Sequence, residues 1–242
     1  MEKINIIVQA RMGSTRLPGK VMKIINNKTL IQILLLRLSK VKKINKIVVA
    51  TSSNSENEDL VNHLKDLNID FYIGSENDVL NRFFRASSKY KSDIIVRITA
   101  DCPLISPEVI NETIDLYLSS NVHYVSNINP PTFPDGLDVE VFSHYALKKA
   151  EKYSVEKYDR EHVTPYIRRN FENVNFTNNK EDLSSLRWTV DEKEDFNVVK
   201  NIFNYFENNF NIEWKDVYRL FKIKPYLFKE NSKFIRNSSS KK

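Results

Sequence analysis

The sequence predicts an α/β fold: a mostly parallel sheet with helices on both faces. Short apolar runs rich in β-branched residues alternate along the chain with stretches whose apolar residues recur at helical spacing. A basic, glycine-containing loop leaves the first of these runs, where an open α/β sheet keeps its ligand site. Ile4–Gln9 reads as the first, buried strand. Residues 29–41 read as a helix with Leu30, Ile33, Leu34 and Leu38 on one face. A second strand over 46–51 and a helix over 56–67, carried by Leu60, Val61 and Leu64, repeat the unit. The third strand, 71–73, stops at Gly74-Ser75 and is followed by a helix over 78–90. The fourth, 93–98, stops at Thr99-Ala100-Asp101-Cys102-Pro103. The helix over 107–119 has Pro107 in its first turn, where a missing N–H does no harm. Residues 127–135 hold three prolines and read as a loop, and 138–142 alternate like a strand. Helices over 145–153 and 160–169, a last strand over 186–190 and a helix over 193–207 complete the reading.

At 242 residues the chain is ample for a buried core, and no repeat or linker divides it. The expected organisation is one domain over 1–230, with about 125–170 projecting as a sugar-site or interface segment. The Ser- and Lys-rich residues 231–242 read as a disordered tail. No apolar run approaches the roughly 18 residues that cross a bilayer, and the first residues already read as a strand, not a signal segment. Cys102 is the only cysteine, which excludes a disulfide framework and fits a cytoplasmic protein. The net charge of +6 is spread among Glu and Asp and toward the end of the chain. It describes solvated faces, and no nucleic-acid or membrane partner is expected.

The chemistry gathers at strand ends. Residues 8–20 carry Arg11, Arg16 and Lys20 together with Gly13 and Gly19, two of the four glycines in the chain. Glycine lets backbone N–H groups approach an anion, and Arg16 and Lys20 add charge-assisted bonds to phosphate oxygens. The spacing is neither that of a Walker loop nor that of a dinucleotide fingerprint. Asp101 ends the fourth strand on the same rim, and Asp191 ends the last expected strand. Carboxylates facing a phosphate loop make sense with a divalent cation between them, because Mg²⁺ takes one or two carboxylates plus substrate phosphates.

Six segments carry a family resemblance: 10–20 (Ala-Arg-Met-Gly-Ser-Thr-Arg-Leu-Pro-Gly-Lys), 74–83 (Gly-Ser, then Asp-Val-Leu-Asn-Arg-Phe), 97–104 (Arg-Ile-Thr-Ala-Asp-Cys-Pro-Leu), 133–142 (Phe-Pro-Asp-Gly-Leu-Asp-Val-Glu-Val-Phe), 160–167 (Arg-Glu-His-Val-Thr-Pro-Tyr-Ile) and 188–191 (Trp-Thr-Val-Asp). With them the chain resembles the cytidylyltransferases that activate sugar acids, the group of the 3-deoxy-manno-octulosonate and acylneuraminate enzymes. Within it the chain most resembles the spore coat polysaccharide biosynthesis protein F branch. The resemblance implies a Rossmann-like fold of the nucleotide-diphospho-sugar transferase type. It implies transfer of CMP from CTP to a sugar acid with release of pyrophosphate, Mg²⁺ as cofactor and a homodimer. By motif, Arg16, Lys20 and Asp101 are catalytic and Asp101 and Asp191 hold the metal. Ala10, Arg11, Gly13, Ser14, Arg82 and Thr99 join Arg16 and Lys20 at the nucleotide. Asp135, Gly136, Asp138, Glu140 and His162 fall where the family receives its sugar. That segment is acidic where a sialic-acid type of sugar would want arginine or lysine, which leaves room for an amino-sugar acid or a neutral sugar. The octulosonate enzymes follow their last aspartate with threonine-proline-glutamate-aspartate, whereas Glu192-Lys193-Glu194-Asp195 follows Asp191. Two alternatives stay open: another nucleotide or sugar phosphate on the same fold, and an inactive nucleotide-binding regulatory module.

Overall fold

The structure, a computed structural model, describes residues 2–236. In chain order its elements are β1 (Ile4–Gln9), β2 (Ile24–Ile25), β3 (Lys28–Thr29), α1 (Leu30–Leu38), β4 (Lys46–Ser52), α2 (Glu58–Asp66), β5 (Asp70–Gly74), α3 (Val79–Lys89), β6 (Ile94–Thr99) and α4 (Pro107–Ser119). They continue with β7 (Tyr124–Ser126), β8 (Glu140–Ser143), α5 (His144–Tyr153), α6 (Lys157–His162), α7 (Pro165–Asn170), β9 (Asn173–Asn175), α8 (Lys193–Tyr205) and α9 (Trp214–Ile223). The main sheet runs β5-β4-β1-β6-β8-β7-β9. Every neighbouring pair is parallel except those made by β8, which runs against β6 and β7.

Alternation in β1 builds the two layers. Ile4, Ile6 and Val8 pack with α1, α4 and α8, through Leu34, Ile110 and Val199 among others. Ile7 points the other way, into a core with Leu80 and Phe83 of α3, Leu147 of α5 and Ile167 of α7. Helices therefore cover both faces, as a mostly parallel sheet requires.

Several elements differ from expectation. The helix expected over 160–169 is two, α6 and α7. Pro165 cannot continue a helix, so it opens a new one, and Val163 turns the chain between them with φ 71°. Residues 186–190 form no strand. Arg187 makes a single bridge to Asp135, after which the chain crosses over and Val190 N–H donates to the Asp101 carbonyl at 2.7 Å. The segment 125–170, expected to project, supplies β8 to the sheet and α5, α6 and α7 to one face, while β7 and β9 complete that sheet edge. The tail also needs correction over 231–236. Asn231 is 3% exposed, and Arg236 donates to the Phe133 carbonyl at 3.1 Å. Polar side chains with internal partners hold the segment where composition suggested solvent. The remainder of the expected tail, 237–242, lies outside the described residues.

Candidate active site

From β1 the chain moves outward through β4 to β5, then returns to place β6 on the opposite side of β1. This reversal opens a crevice at the carboxyl ends of β1 and β6. The cleft there has a volume of about 460 Å³. Residues 10–20 form one lip. Met12 N–H donates to Asn57 Oδ1 at 2.9 Å, and Met12 O accepts from Ser14 and Gly19 N–H at 2.8 and 3.0 Å, closing the loop on itself. Gly19 has φ 64°, a conformation glycine adopts without strain, and turns the chain so that Lys20 faces the opposite lip.

Lys20 is the centre of the site. Its ammonium donates to Asp101 Oδ2 at 2.9 Å, Asp191 Oδ1 at 2.8 Å and the Val190 carbonyl at 2.9 Å. All three of its donors are thereby used, and a loop, a strand end and the irregular chain before α8 meet at one atom. Burial alone would lower the Lys20 pKa, but Asp101 and Asp191 outweigh it and leave it raised. Burial likewise works against Asp101, and the Lys20 ammonium overcomes it to bring the carboxyl down to about 2. Asp191 is also shared with Arg16, 3.0 Å from Oδ1, and with Arg187, 3.2 Å from Oδ2.

Two further arginines extend the cationic wall. Arg11 pairs with Glu76 at 2.6 Å on the rim. Arg82 is 1% exposed, and Nη1 donates to the Ser75 carbonyl at 2.5 Å, while Nε and Nη2 have no partner among the described residues. Burial lowers its pKa to about 10. Two buried, unpartnered guanidinium donors beside a cleft favour an acceptor-rich ligand, because each group left unpaired costs about 1–3 kcal/mol.

Ala10, Arg11, Ser14, Arg16, Lys20, Arg82, Thr99, Asp101, His162 and Asp191 all line this one cleft. Gly13 sits behind the loop, where an added Cβ would come 2.4 Å from Glu56 Oε1. The acidic residues expected at the sugar are turned to internal work instead. Glu140, 3% exposed, pairs with Arg97 and accepts from Tyr124 Oη and Thr164 Oγ1, both at 2.6 Å. Asp138 pairs with Arg236, and Asp135 with Arg187 at 3.2 Å. Burial, then Asp138, pushes Asp135 up to about 7. Gly136, at φ 110°, lies where an added Cβ would come within 2.7 Å of the Trp188 and Thr189 backbone. His162 alone of the expected sugar residues reaches the cleft, 4.4 Å from the Tyr158 ring, with its pKa lowered by burial. Lys157 and Glu161 stand beside it and were not anticipated. Their spacing puts them on one face of α6, so a helix started three residues earlier would have exposed them.

The donor set fits a hard divalent cation completed by phosphates. Two carboxylates converge on one cationic point, and Asp101 stays ionised far below neutral pH. Among the described residues no group of three or more His, Cys, Asp or Glu is arranged to hold a metal by itself. Nor is any helix among them long and apolar enough to cross a membrane.

Comparison with known proteins gives consistent results. Residues 5–237 match the family model for cytidylyltransferases. An uncharacterised protein of Methanocaldococcus jannaschii is 42% identical over 212 residues, 85% of each chain. Spore coat polysaccharide biosynthesis protein SpsF of Bacillus subtilis is 32% identical over 212 residues, 84% of this chain and 87% of its own. Among solved structures, a cytidylyltransferase from Leptospira borgpetersenii superposes with a TM-score of 0.90 at 32% identity, covering 98% of this chain and 100% of that one.

Proposed function

This chain belongs to the cytidylyltransferase family, and we propose that it transfers CMP from CTP to a hydroxyl of a sugar acid, releasing pyrophosphate. The observation that carries the reading is the convergence of Asp101 and Asp191 on Lys20 within a cleft also lined by Arg11, Arg16 and Arg82. Attack of a hydroxyl on the α-phosphorus needs in-line placement and positive charge on the departing pyrophosphate more than it needs a protein nucleophile. Arg16 and Lys20 lie where they can neutralise that charge, and Arg11 lies at the outer rim for the remaining phosphates. Ala10, Ser14 and Thr99 line the same cleft, and in this reading the loop backbone at Ala10 and Ser14 meets the nucleotide. Asp101 and Asp191 would hold Mg²⁺, which would supply positive charge to offset that developing on the phosphates. Arg82, with Nε and Nη2 unpartnered among the described residues, favours the acceptor atoms of the nucleotide.

Lys157, Glu161 and His162 line the cleft together, and we assign the sugar to their side of it. Lys157 supplies the cation that a sugar carboxylate requires, and Glu161 accepts from hydroxyls or from an amino group. A relative's name supports this substrate class: a 3-deoxy-manno-octulosonate cytidylyltransferase of Chlorobium chlorochromatii is 31% identical over 54% of this chain, and SpsF is named for polysaccharide biosynthesis. The deciding experiment is pyrophosphate release with CTP, UTP, ATP and GTP against eight- and nine-carbon sugar acids, amino-sugar acids and neutral sugars. CTP with a sugar acid should give turnover that chelator abolishes. Preference for another nucleotide, or turnover only with neutral sugars, would overturn the assignment, and light scattering on the same preparation reads the expected homodimer.

A further inference from the structure

Asp191 lacks the support that Asp101 enjoys. Asp101 lies two residues past the end of β6, and its carbonyl is held by Val190 N–H at 2.7 Å. Asp191 stands in irregular chain between the Arg187 bridge and α8, so side chains must orient its carboxylate. Arg187 and Asp195 do so. The Arg187 side chain, 7% exposed, clamps Asp195 through Nε and Nη2 at 2.9 Å each, and Nη2 also reaches Asp191 Oδ2 at 3.2 Å. Asp195 is wholly buried and accepts from Asp191 and Glu192 N–H at 3.0 and 2.9 Å.

Residues 231–236 close this arrangement from behind. Asn231 commits both amide hydrogens to it, one to Asp195 Oδ1 at 2.9 Å and one to the Arg187 carbonyl at 3.0 Å. The Phe234 ring lies 5.8 Å from the Arg187 guanidinium, and Arg236 ties the segment to Asp138 and to the Phe133 carbonyl. We infer that residues 231–236 are a strap that positions the site, with Asn231 fixing the direction of the Asp191 carboxylate through Asp195 and Arg187. The inference rests on the proposed role of Asp191 as a metal ligand. A carboxylate has about four lone-pair directions. Asp195 receives five N–H donors, so the geometry of each is set by the others. Without the Asn231 donors, Asp195 Oδ1 and the Arg187 carbonyl each lose a partner, and the guanidinium between Asp195 and Asp191 keeps Asp135 as its further anchor. Partners that orient metal ligands in this way typically change metal affinity about 10- to 100-fold when removed.

The test uses full-length Asn231→Ala and Asn231→Ser, the serine retaining one donor. The affinity for Mn²⁺ is measured by electron paramagnetic resonance with CTP present and sugar absent, beside melting temperature and the KM for CTP. Asn231→Ala should weaken Mn²⁺ about tenfold and Asn231→Ser less, with the KM for CTP little changed. Lys233→Ala, which removes an exposed strap pair with Glu194, should keep wild-type Mn²⁺ affinity. A folded Asn231→Ala with wild-type Mn²⁺ affinity, or an equal loss in Lys233→Ala, overturns the strap's role. Should the alanine variant fail to fold, the serine variant decides on the same terms. Asp191→Asn, measured alongside, separates the premise: if it binds Mn²⁺ normally, the metal assignment falls and the strap's role with it. If Asp191→Asn is defective while Asn231→Ala is normal, only the strap falls.

Discussion

Replacing Glu140 by glutamine separates a residue that holds the fold from one that holds the sugar. The carboxylate pairs with Arg97 and accepts from Tyr124 and Thr164 hydroxyls at 2.6 Å each, while Arg97 finds its other anchor in Gln9 at 3.1 Å. Glutamine preserves the volume and one acceptor oxygen. Its NH₂ replaces the other oxygen, so the hydroxyls or Arg97 must rearrange, and Arg97 loses its counter-charge. Breaking a buried pair by removing one partner costs about 3–5 kcal/mol. The Arg97 side chain keeps 15% exposure, so water recovers part of this and the lower end, about 3 kcal/mol, is expected. At roughly 2–4 °C per kcal/mol for a chain of this size, Tm should fall by roughly 6–12 °C. The pH dependence gives a second check. Burial would raise the Glu140 pKa, but Arg97 and the two hydroxyls overcome it and leave it lowered. A carboxylate depressed on folding contributes stability that is complete above its unfolded pKa and lost as pH falls through its folded one. The Tm gap between wild type and variant should therefore be full above about pH 5 and close progressively below about pH 4. Thermal melts across that range, with sugar kinetics on the same preparations, decide the matter. A variant that melts with the wild type yet needs far more sugar would refute the argument and return Glu140 to the substrate site.

Asp101→Asn and Asp191→Asn should each lower turnover by roughly three orders of magnitude, about 4 kcal/mol of transition-state stabilisation, with circular dichroism unchanged. Near-normal pyrophosphate release in either variant would take that residue out of the metal site. Arg16→Ala removes a rim cation whose acidic partners lie 3.0 and 3.5 Å away, so Tm should hardly move. Its kcat/KM should drop roughly ten- to a hundredfold, the value of one charge-assisted bond to the leaving phosphate, and unchanged kinetics would make it an ordinary surface arginine. His144 sits in the first turn of α5, 3.0 Å from Ser87 Oγ and stacked on Phe84, with its pKa lowered by burial and then by Lys148. Its contribution is full above about pH 6.5 and lost as pH falls through the depressed value, so Tm at pH 5.5 should lie further below Tm at pH 7.5 in wild type than in His144→Gln.

What the sequence disclosed, and what it withheld, follows the range of the interactions. The bounds of α4 are legible because their causes are local: Ser106 caps the helix at Val109 N–H, and Pro107 opens its first turn. The basic loop over 10–20 is legible because its cations and glycines lie close together in sequence and leave a strand whose burial shows in its composition. The fate of the acidic middle segment is not local. Glu140, Asp135 and Asp138 find Arg97, Arg187 and Arg236 at separations of 43, 52 and 98 residues. Which cation meets which carboxylate is settled by β6 pairing with β8, by the bridge between Asp135 and Arg187, and by residues 231–236, whose composition resembles a solvated tail. Asp191 shows the two regimes together. Its residue type and its place after an apolar run suggest a ligand at a strand end, yet no strand forms there. Its direction comes instead from Arg187, from Asp195 four residues on, and from Asn231 acting through Asp195 forty residues away. A carboxylate oriented by such a network can be found from sequence as a candidate, but the residues that make it serviceable emerge only once the chain has folded back upon it.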